Sequence, residues 1–243
     1  MEEFFINKEN IKGEYIFIKN SEAHHIKNVL RYKKGKSLNL FDGEGGVYRG
    51  EIIELRKNEI KLKLLFKEYK EKLPPFFHLV QAIPKKNKMD LIVEKAVELG
   101  IDEIIPVITE RTIVSPDKER KERLLERWRK IALSATKQSR RIFLPKIREI
   151  KKFSEVLEEI PDSASLIIPS LEEKGISLKD LDWKKFKKDI FIFIGPEGDF
   201  TKEEISLARR KGAILVSLGE YVLRTETAGM YLLAILNYEL RSQ

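Results

Sequence analysis

The stretch Phe191-Ile192-Phe193-Ile194-Gly195-Pro196-Glu197-Gly198-Asp199-Phe200-Thr201-Lys202-Glu203-Glu204 decides the fold class. A short, unbroken apolar run predicts a strand buried on both faces, and such strands belong to parallel sheets covered by helices on each side. Gly195-Pro196-Glu197-Gly198 turns the chain sharply. Thr201 and Glu204 form a T-x-x-E capping box that starts a helix, and Gly212 predicts its end. Strand, turn and capped helix in this order read as α/β.

The same alternation extends in both directions. Phe77 to Ile83, Ile101 to Thr109, Ser165 to Ile168 and Ala213 to Ser217 read as further strands. Met89, Ile92, Val93, Ala96 and Val97 share one helical face that stops at Gly100. Ser115-Pro116-Asp117 opens a long basic helix reaching about Ser139, and an apolar helix runs from about Thr227 to Leu240. The period changes at Lys72-Leu73-Pro74-Pro75. Before it lie five short alternating runs, Phe4 to Ile6, Tyr15 to Ile18, Leu38 to Phe41, Val47 to Leu55 and Ile60 to Phe66, and one short helix, Ser21 to Arg31, with Ser21 as its N-cap. We expect residues 1–73 to form a small β-barrel and residues 74–243 a mostly parallel, helix-covered sheet.

Composition narrows the function. The 243 residues include no cysteine, so disulfides, thiolate metal sites and cysteine nucleophiles are excluded. His24, His25 and His78 have no metal-ligand spacing, and no metal is expected. No apolar run is long enough to cross a bilayer, and the acidic start predicts no leader peptide, so the cytoplasm is the expected location. The net charge is +8, and residues 118–148 carry twelve Lys/Arg against three Glu, or +9, leaving the rest near neutral. Lys27, Arg31, Lys33, Lys34 and Lys36 form a second basic cluster. Such concentration suits a polyanion, although a solvated helix face explains it equally well.

Ligands of parallel sheets bind beyond the carboxyl ends of the strands. Two loops occupy that position, Gly195 to Gly198 and Gly219-Glu220-Tyr221-Val222-Leu223-Arg224-Thr225-Glu226-Thr227. Each has a bland reading. The glycines can be ordinary punctuation, Arg224 can pair with Glu226, and Thr225 or Thr227 can be only an N-cap. A polar island beside a glycine loop is nevertheless the best candidate site. No G-x-G-x-x-G, G-x-x-x-x-G-K-[ST] or G-x-S-x-G occurs, which leaves dinucleotide, NTPase and hydrolase readings without support.

Ile194-Gly195-Pro196-Glu197-Gly198, Leu218-Gly219 and Leu223-Arg224-Thr225-Glu226-Thr227-Ala228 together resemble the SPOUT class, and in particular its 16S ribosomal RNA (uracil-N3) methyltransferase family. His25 to Arg31, Lys95 to Gly100 with Pro106, and Ala135-Thr136-Lys137-Gln138-Ser139-Arg140-Arg141 agree with that family in order. One departure is Asp199, where the family usually has glycine. The resemblance implies a PUA-like, RNA-binding barrel, a trefoil-knotted α/β domain, a homodimer, and 16S ribosomal RNA as substrate, within the 30S subunit. It implies S-adenosylmethionine as cofactor, held by Pro169, Ile194, Gly195, Pro196, Gly198, Leu218, Gly219, Val222, Leu223, Thr225 and Thr227.

Uracil N3 is protonated at neutral pH, so methylation needs a base or a cation that stabilises the uracil anion. Arg224 is the candidate cation, and Glu197 and Glu226 are the candidate bases, either of which can equally be a structural acceptor. Arg31, Lys85, Lys86, Lys88, Gln138, Arg140 and Arg141 are expected to position the RNA. Competing readings are a SPOUT enzyme acting on transfer RNA or ribose 2′-OH, and a non-catalytic RNA-binding protein.

Overall fold

The computed structural model describes residues 3–113, 116–171 and 175–241. The chain separates into two compact units, one of Met1–Lys72 with Thr136–Leu144, the other of Leu73–Ala135 with Pro145–Gln243.

In the first unit the strands are β1 (Glu3–Phe5), β2 (Ile11–Lys12), β3 (Tyr15–Lys19), β4 (Ser37–Phe41), β5 (Gly46–Leu55) and β6 (Glu59–Tyr69). They form one sheet in the order β1-β4-β5-β6-β3-β2, antiparallel except for β1 on β4. Alternate residues Ile16, Ile18, Leu38, Leu40, Ile60 and Leu62 point inward and close a separate core. The helical segment begins one residue before Ser21, as α1 (Asn20–His24), with Lys19 and not Ser21 at the N-cap. It continues as a π-helical turn over His25–Val29, closed by Leu30 N–H on the His25 carbonyl at 3.0 Å. Segment 136–144 belongs to this unit. Lys137 pairs with Glu22 at 2.6 Å, and Leu144 N–H donates to the Gly43 carbonyl at 2.9 Å.

The second unit contains β7 (Phe76–Ala82), α2 (Lys88–Glu98), β8 (Glu103–Ile108), most of α3 (Lys118–Gln138), β9 (Lys146–Ile147), β10 (Lys151–Lys152), α4 (Phe153–Glu159), β11 (Ser165–Pro169), β12 (Ile176–Ser177), β13 (Asp189–Ile194), α5 (Lys202–Arg210), β14 (Ile214–Ser217) and α6 (Thr225–Leu240). The eight strands are all parallel, in the order β10-β8-β7-β13-β11-β14-β12 with β9 also on β8. β13 is buried along almost its whole length because both faces are covered. On one face lie Ile92 and Val93 of α2, Trp128 and Ala132 of α3, and Leu232, Leu233 and Leu236 of α6. On the other lie Phe153 and Val156 of α4 with Ile205 and Ala208 of α5.

Helix α5 has the expected capping box, with Glu204 N–H on Thr201 Oγ1 at 3.2 Å and Thr201 N–H on Glu204 Oε2 at 2.9 Å. Asp117 Oδ1 accepts the Arg120 N–H at 2.8 Å where α3 begins; Ser115, expected at that opening, lies outside the described residues. Helix α4 and the two-residue strands β2, β9, β10 and β12 were not foreseen, since so few residues carry no period. β12 pairs with the outer edge of β14, so the connection from β11 to β13 passes around β14. The chain leaving β14 then returns inside that connection as α6, packed on α2 and β13. This is the threaded path of a trefoil knot.

At the carboxyl end of α6, Arg241 donates to the Pro75 carbonyl at 2.9 Å and pairs with buried Asp102. Asp102 also accepts the Phe77 N–H at 2.8 Å.

Candidate active site

Strands β13, β11 and β14 are neighbours, so the loops leaving their carboxyl ends emerge side by side. Together with β12 and the start of α6 they line a cavity of about 1000 Å³. The first loop contributes Pro169 to Leu171, the second Ile194 to Glu197 with Asp199, and the third residues 217–225 with Ala228. Gly175 admits β12 to this arrangement, since a Cβ there would lie 2.4 Å from the Val216 backbone.

Asp199 holds the second loop in shape. Its φ is +60°, a conformation usually left to glycine, and the side chain makes up for the strain. Oδ1 accepts the Phe200 N–H and Oδ2 the Leu171 N–H, both at 2.8 Å, which ties the first two loops together. Asp at this position therefore supplies a tie that glycine cannot.

Arg224 is the N-cap of α6, and Thr225 is its first residue. Neither Thr225 nor Thr227 takes the capping place that sequence allowed them. The Thr225 hydroxyl is buried, donates to the Gly195 carbonyl at 2.6 Å and accepts Gln81 Nε2 at 3.0 Å. Arg224 is exposed at the cavity, and among the described residues its guanidinium has no hydrogen bond or ion pair. The alternative bridge to Glu226 is not made. Glu226 turns the other way, its Oε2 3.2 Å from Lys88 Nζ, while Glu197 Oε1 lies 3.4 Å from the same ammonium.

Glu197 also accepts the Lys85 N–H at 3.2 Å. Partial burial pushes its carboxyl upward, but the Glu197 and Lys85 backbone N–H groups and the Lys88 ammonium prevail and hold it below the usual carboxylate range. Such a group is an acceptor that fixes a loop, and a poor proton acceptor at neutral pH.

Two residues proposed for the cofactor, Gly198 and Thr227, do not line the cavity. The Gly198 carbonyl accepts a hydrogen bond from Arg111, and Thr227 is exposed, two positions around the helix from Thr225. The other nine line it. Among the lining residues outside the two predicted loops is Asp180, in a connection without a period; Glu220 lies in the second of those loops but was given no role. Gln81 was missed as well, although a polar residue in the apolar carboxyl half of β7 was a visible signal.

The residues proposed for RNA divide between the units. Arg31, Gln138, Arg140 and Arg141 lie in the first and Lys85, Lys86 and Lys88 in the second. Arg31, Lys86 and Arg140 have φ of +55°, +59° and +56°. Lys88 is already engaged by two carboxylates, and the charge available to an external anion at this place is that of Lys85 and Lys86, both exposed.

Residues 71–237 match the family model of the RNA methyltransferase domain, and residues 18–65 that of the RNA methyltransferase PUA domain. The chain belongs to the RNA methyltransferase family. This methyltransferase is 34% identical over 233 residues to ribosomal RNA small subunit methyltransferase E of Aquifex aeolicus, covering 94% of this chain and 96% of that one. It is 32% identical to the protein of the same name from Synechocystis, covering 96% of this chain and 76% of the relative. The crystal structure of ribosomal RNA small subunit methyltransferase E from Neisseria gonorrhoeae, bound to S-adenosyl methionine, superposes with a TM-score of 0.86 at 31% identity, over 98% and 97% of the two chains. The fold of the methyltransferase is accordingly of the SPOUT type, a mostly parallel α/β domain preceded by a PUA-like barrel.

Proposed function

We propose that this methyltransferase uses S-adenosylmethionine to methylate N3 of a uridine in 16S ribosomal RNA. The observation that carries the reading is Arg224, an exposed cation that makes no ion pair among the described residues, on the wall of the cavity at the carboxyl ends of the strands. Relatives named for the small-subunit RNA, and one solved with the cofactor bound, support the substrate and cofactor classes.

The cavity suits the cofactor. Its wall offers the backbone of three loops for an adenine edge and a ribose. Asp180, Glu197, Asp199 and Glu220 face one arginine, so the lining favours a ligand that carries positive charge. We assign cofactor contacts to Pro169, Ile194, Gly195, Pro196, Leu218, Gly219, Val222, Leu223 and Thr225. When bound, the cofactor supplies an electrophilic methyl group on a sulfonium.

The remaining work falls to the chain. N3 lies on the pairing edge, so the uridine enters unpaired or flipped out. Arg224 places its donors on a uracil carbonyl oxygen and stabilises the anion left when N3 passes its proton to solvent water. Glu197 and Glu226, both drawn to Lys88, fix the loop and the helix start that present Arg224.

RNA positioning is assigned to Arg31, Gln138, Arg140 and Arg141 in the barrel unit, and to Lys85 and Lys86 in the other. Left-handed backbone is strained for residues other than glycine and clusters at functional positions, and three of these residues adopt it. A π-helical turn, another such marker, leads to Arg31.

We further propose a homodimer acting on 30S subunits in the cytoplasm. Leu91, Tyr231 and Tyr238 leave apolar surface exposed on the packed pair α2 and α6, and among the described residues no helix is long and apolar enough to cross a membrane. Light scattering tests the dimer. Transfer of a labelled methyl group to 30S subunits, naked 16S RNA and transfer RNA, followed by nucleoside analysis, tests the activity. The expected product is 3-methyluridine, and a ribose-methylated product would overturn the assignment.

A further inference from the structure

Gln81 lies fully buried in β7, in register with Ile194 of β13 on one side and Pro106 of β8 on the other. Its Nε2 donates to the Ala82 carbonyl at 2.9 Å and to Thr225 Oγ1 at 3.0 Å. The Thr225 hydroxyl passes its own proton to the Gly195 carbonyl at 2.6 Å. Turning the amide over would bring oxygen against the Ala82 carbonyl oxygen, so the donor assignment is forced. The consequence is an orphan. Gln81 Oε1 is buried without a partner among the described residues, close to Gly229 of α6.

A buried acceptor without a partner destabilises a fold, whereas an apolar side chain of the same volume is tolerated. The orphan acceptor offsets part of what the two donated hydrogen bonds contribute, so stability alone does not explain the amide. Its donors do something specific: through Thr225 they join the end of β7, the first residue of α6 and the carbonyl that opens the Gly195 loop. These are the elements on which Arg224 and the cavity wall are mounted.

We propose that Gln81 is a positioning residue for methyl transfer. It locks the Thr225 hydroxyl onto Gly195, and so fixes Arg224 relative to the wall that holds the cofactor. This rests on the methyltransferase reading given above, and a failure of that reading shows separately, as a wild-type protein that transfers no methyl group.

The test compares Gln81→Met and Thr225→Val with the wild type, measuring melting temperature, cofactor binding by calorimetry, and kcat and KM for the RNA. Gln81→Met removes the orphan acceptor together with the donors to Ala82 and Thr225, so its melting temperature should stay within a few degrees of the wild type, while kcat falls about tenfold and KM for RNA stays within about twofold. Thr225→Val breaks the same chain at its other link and should lower kcat comparably. The double variant should be no worse than either single one, as expected for residues acting through one path. Unchanged kcat in Gln81→Met, or melting temperature and activity falling in parallel, would overturn the proposal. So would additive losses in the double variant. If Gln81→Met does not fold, Thr225→Val decides alone by the same criteria.

Discussion

Arg224 occupies the place on α6 where a cation is least welcome. N-caps are normally Ser, Thr, Asp or Asn, and the helix dipole presents its positive end there. Folding alone would not select arginine at this position, which is why the lack of an ion pair to it among the described residues is informative. Arg224→Ala should bind S-adenosylmethionine with near-native affinity in calorimetry while kcat falls about 10²–10³-fold, the usual loss when one donor to a developing anion is removed. Arg224→Lys should recover little of it, since a point charge cannot reproduce the fork of donors. Asp199 is the second residue to probe. Asp199→Ala loses the carboxylate's hydrogen bonds from Ser170, Leu171 and Phe200 and keeps an unfavourable φ, so unfolding free energy should drop by about 1–2 kcal/mol, with weaker cofactor binding. Asp199→Gly should retain more stability than the alanine variant. A stability order with alanine above glycine would contradict the strain seen at this position.

Helix α2 begins at Lys88, and the two carboxylates it meets come from the Gly195 loop and from α6. Opposing roles for Lys88 can be separated by experiment. A phosphate contact would weaken RNA binding and flatten its salt dependence when removed. A brace would lower kcat and leave the salt slope alone, and that is the outcome expected for Lys88→Met in filter binding and turnover assays. Sequence reading could not reach this because nothing in Lys85-Lys86-Asn87-Lys88 distinguishes a lysine that faces outward from one that faces Glu226. The long elements were legible for physical reasons. β13 is a continuous apolar run because both its faces are covered, and α5 carries both of its end signals in Thr201, Glu204 and Gly212. Two-residue strands such as β12 show neither period nor cap, and their partners are fixed by tertiary contact alone. Much of the cavity wall was legible as strand ends with glycine, whereas Asp180 reaches it only because β12 crosses to the edge of β14.

At the scale of the molecule, charge is unevenly spread, with +9 in residues 118–148 of a chain whose net charge is +8. RNA affinity should therefore fall steeply between low and moderate salt. The end of the sheet away from the cavity titrates differently. His78 lies between Glu103 at 2.9 Å and Asp189 at 3.0 Å, stacked on Phe191. Burial pulls its pKa down, but the two carboxylates prevail and raise it above the ordinary value. Protonated His78 thus contributes stability that is fully present below about pH 6.5 and is lost as pH rises through the raised value. The melting temperature should decline as pH rises above about 6.5, and His78→Gln should flatten that decline; an identical decline in the variant would assign it to other groups. The acidic wall of the cavity has its own consequence, for affinity. Asp180 and Glu220 make no ion pair among the described residues. A neutral thioether would be attracted to these carboxylates less than a sulfonium, so Asp180→Asn with Glu220→Gln should narrow the affinity gap between S-adenosylmethionine and S-adenosylhomocysteine.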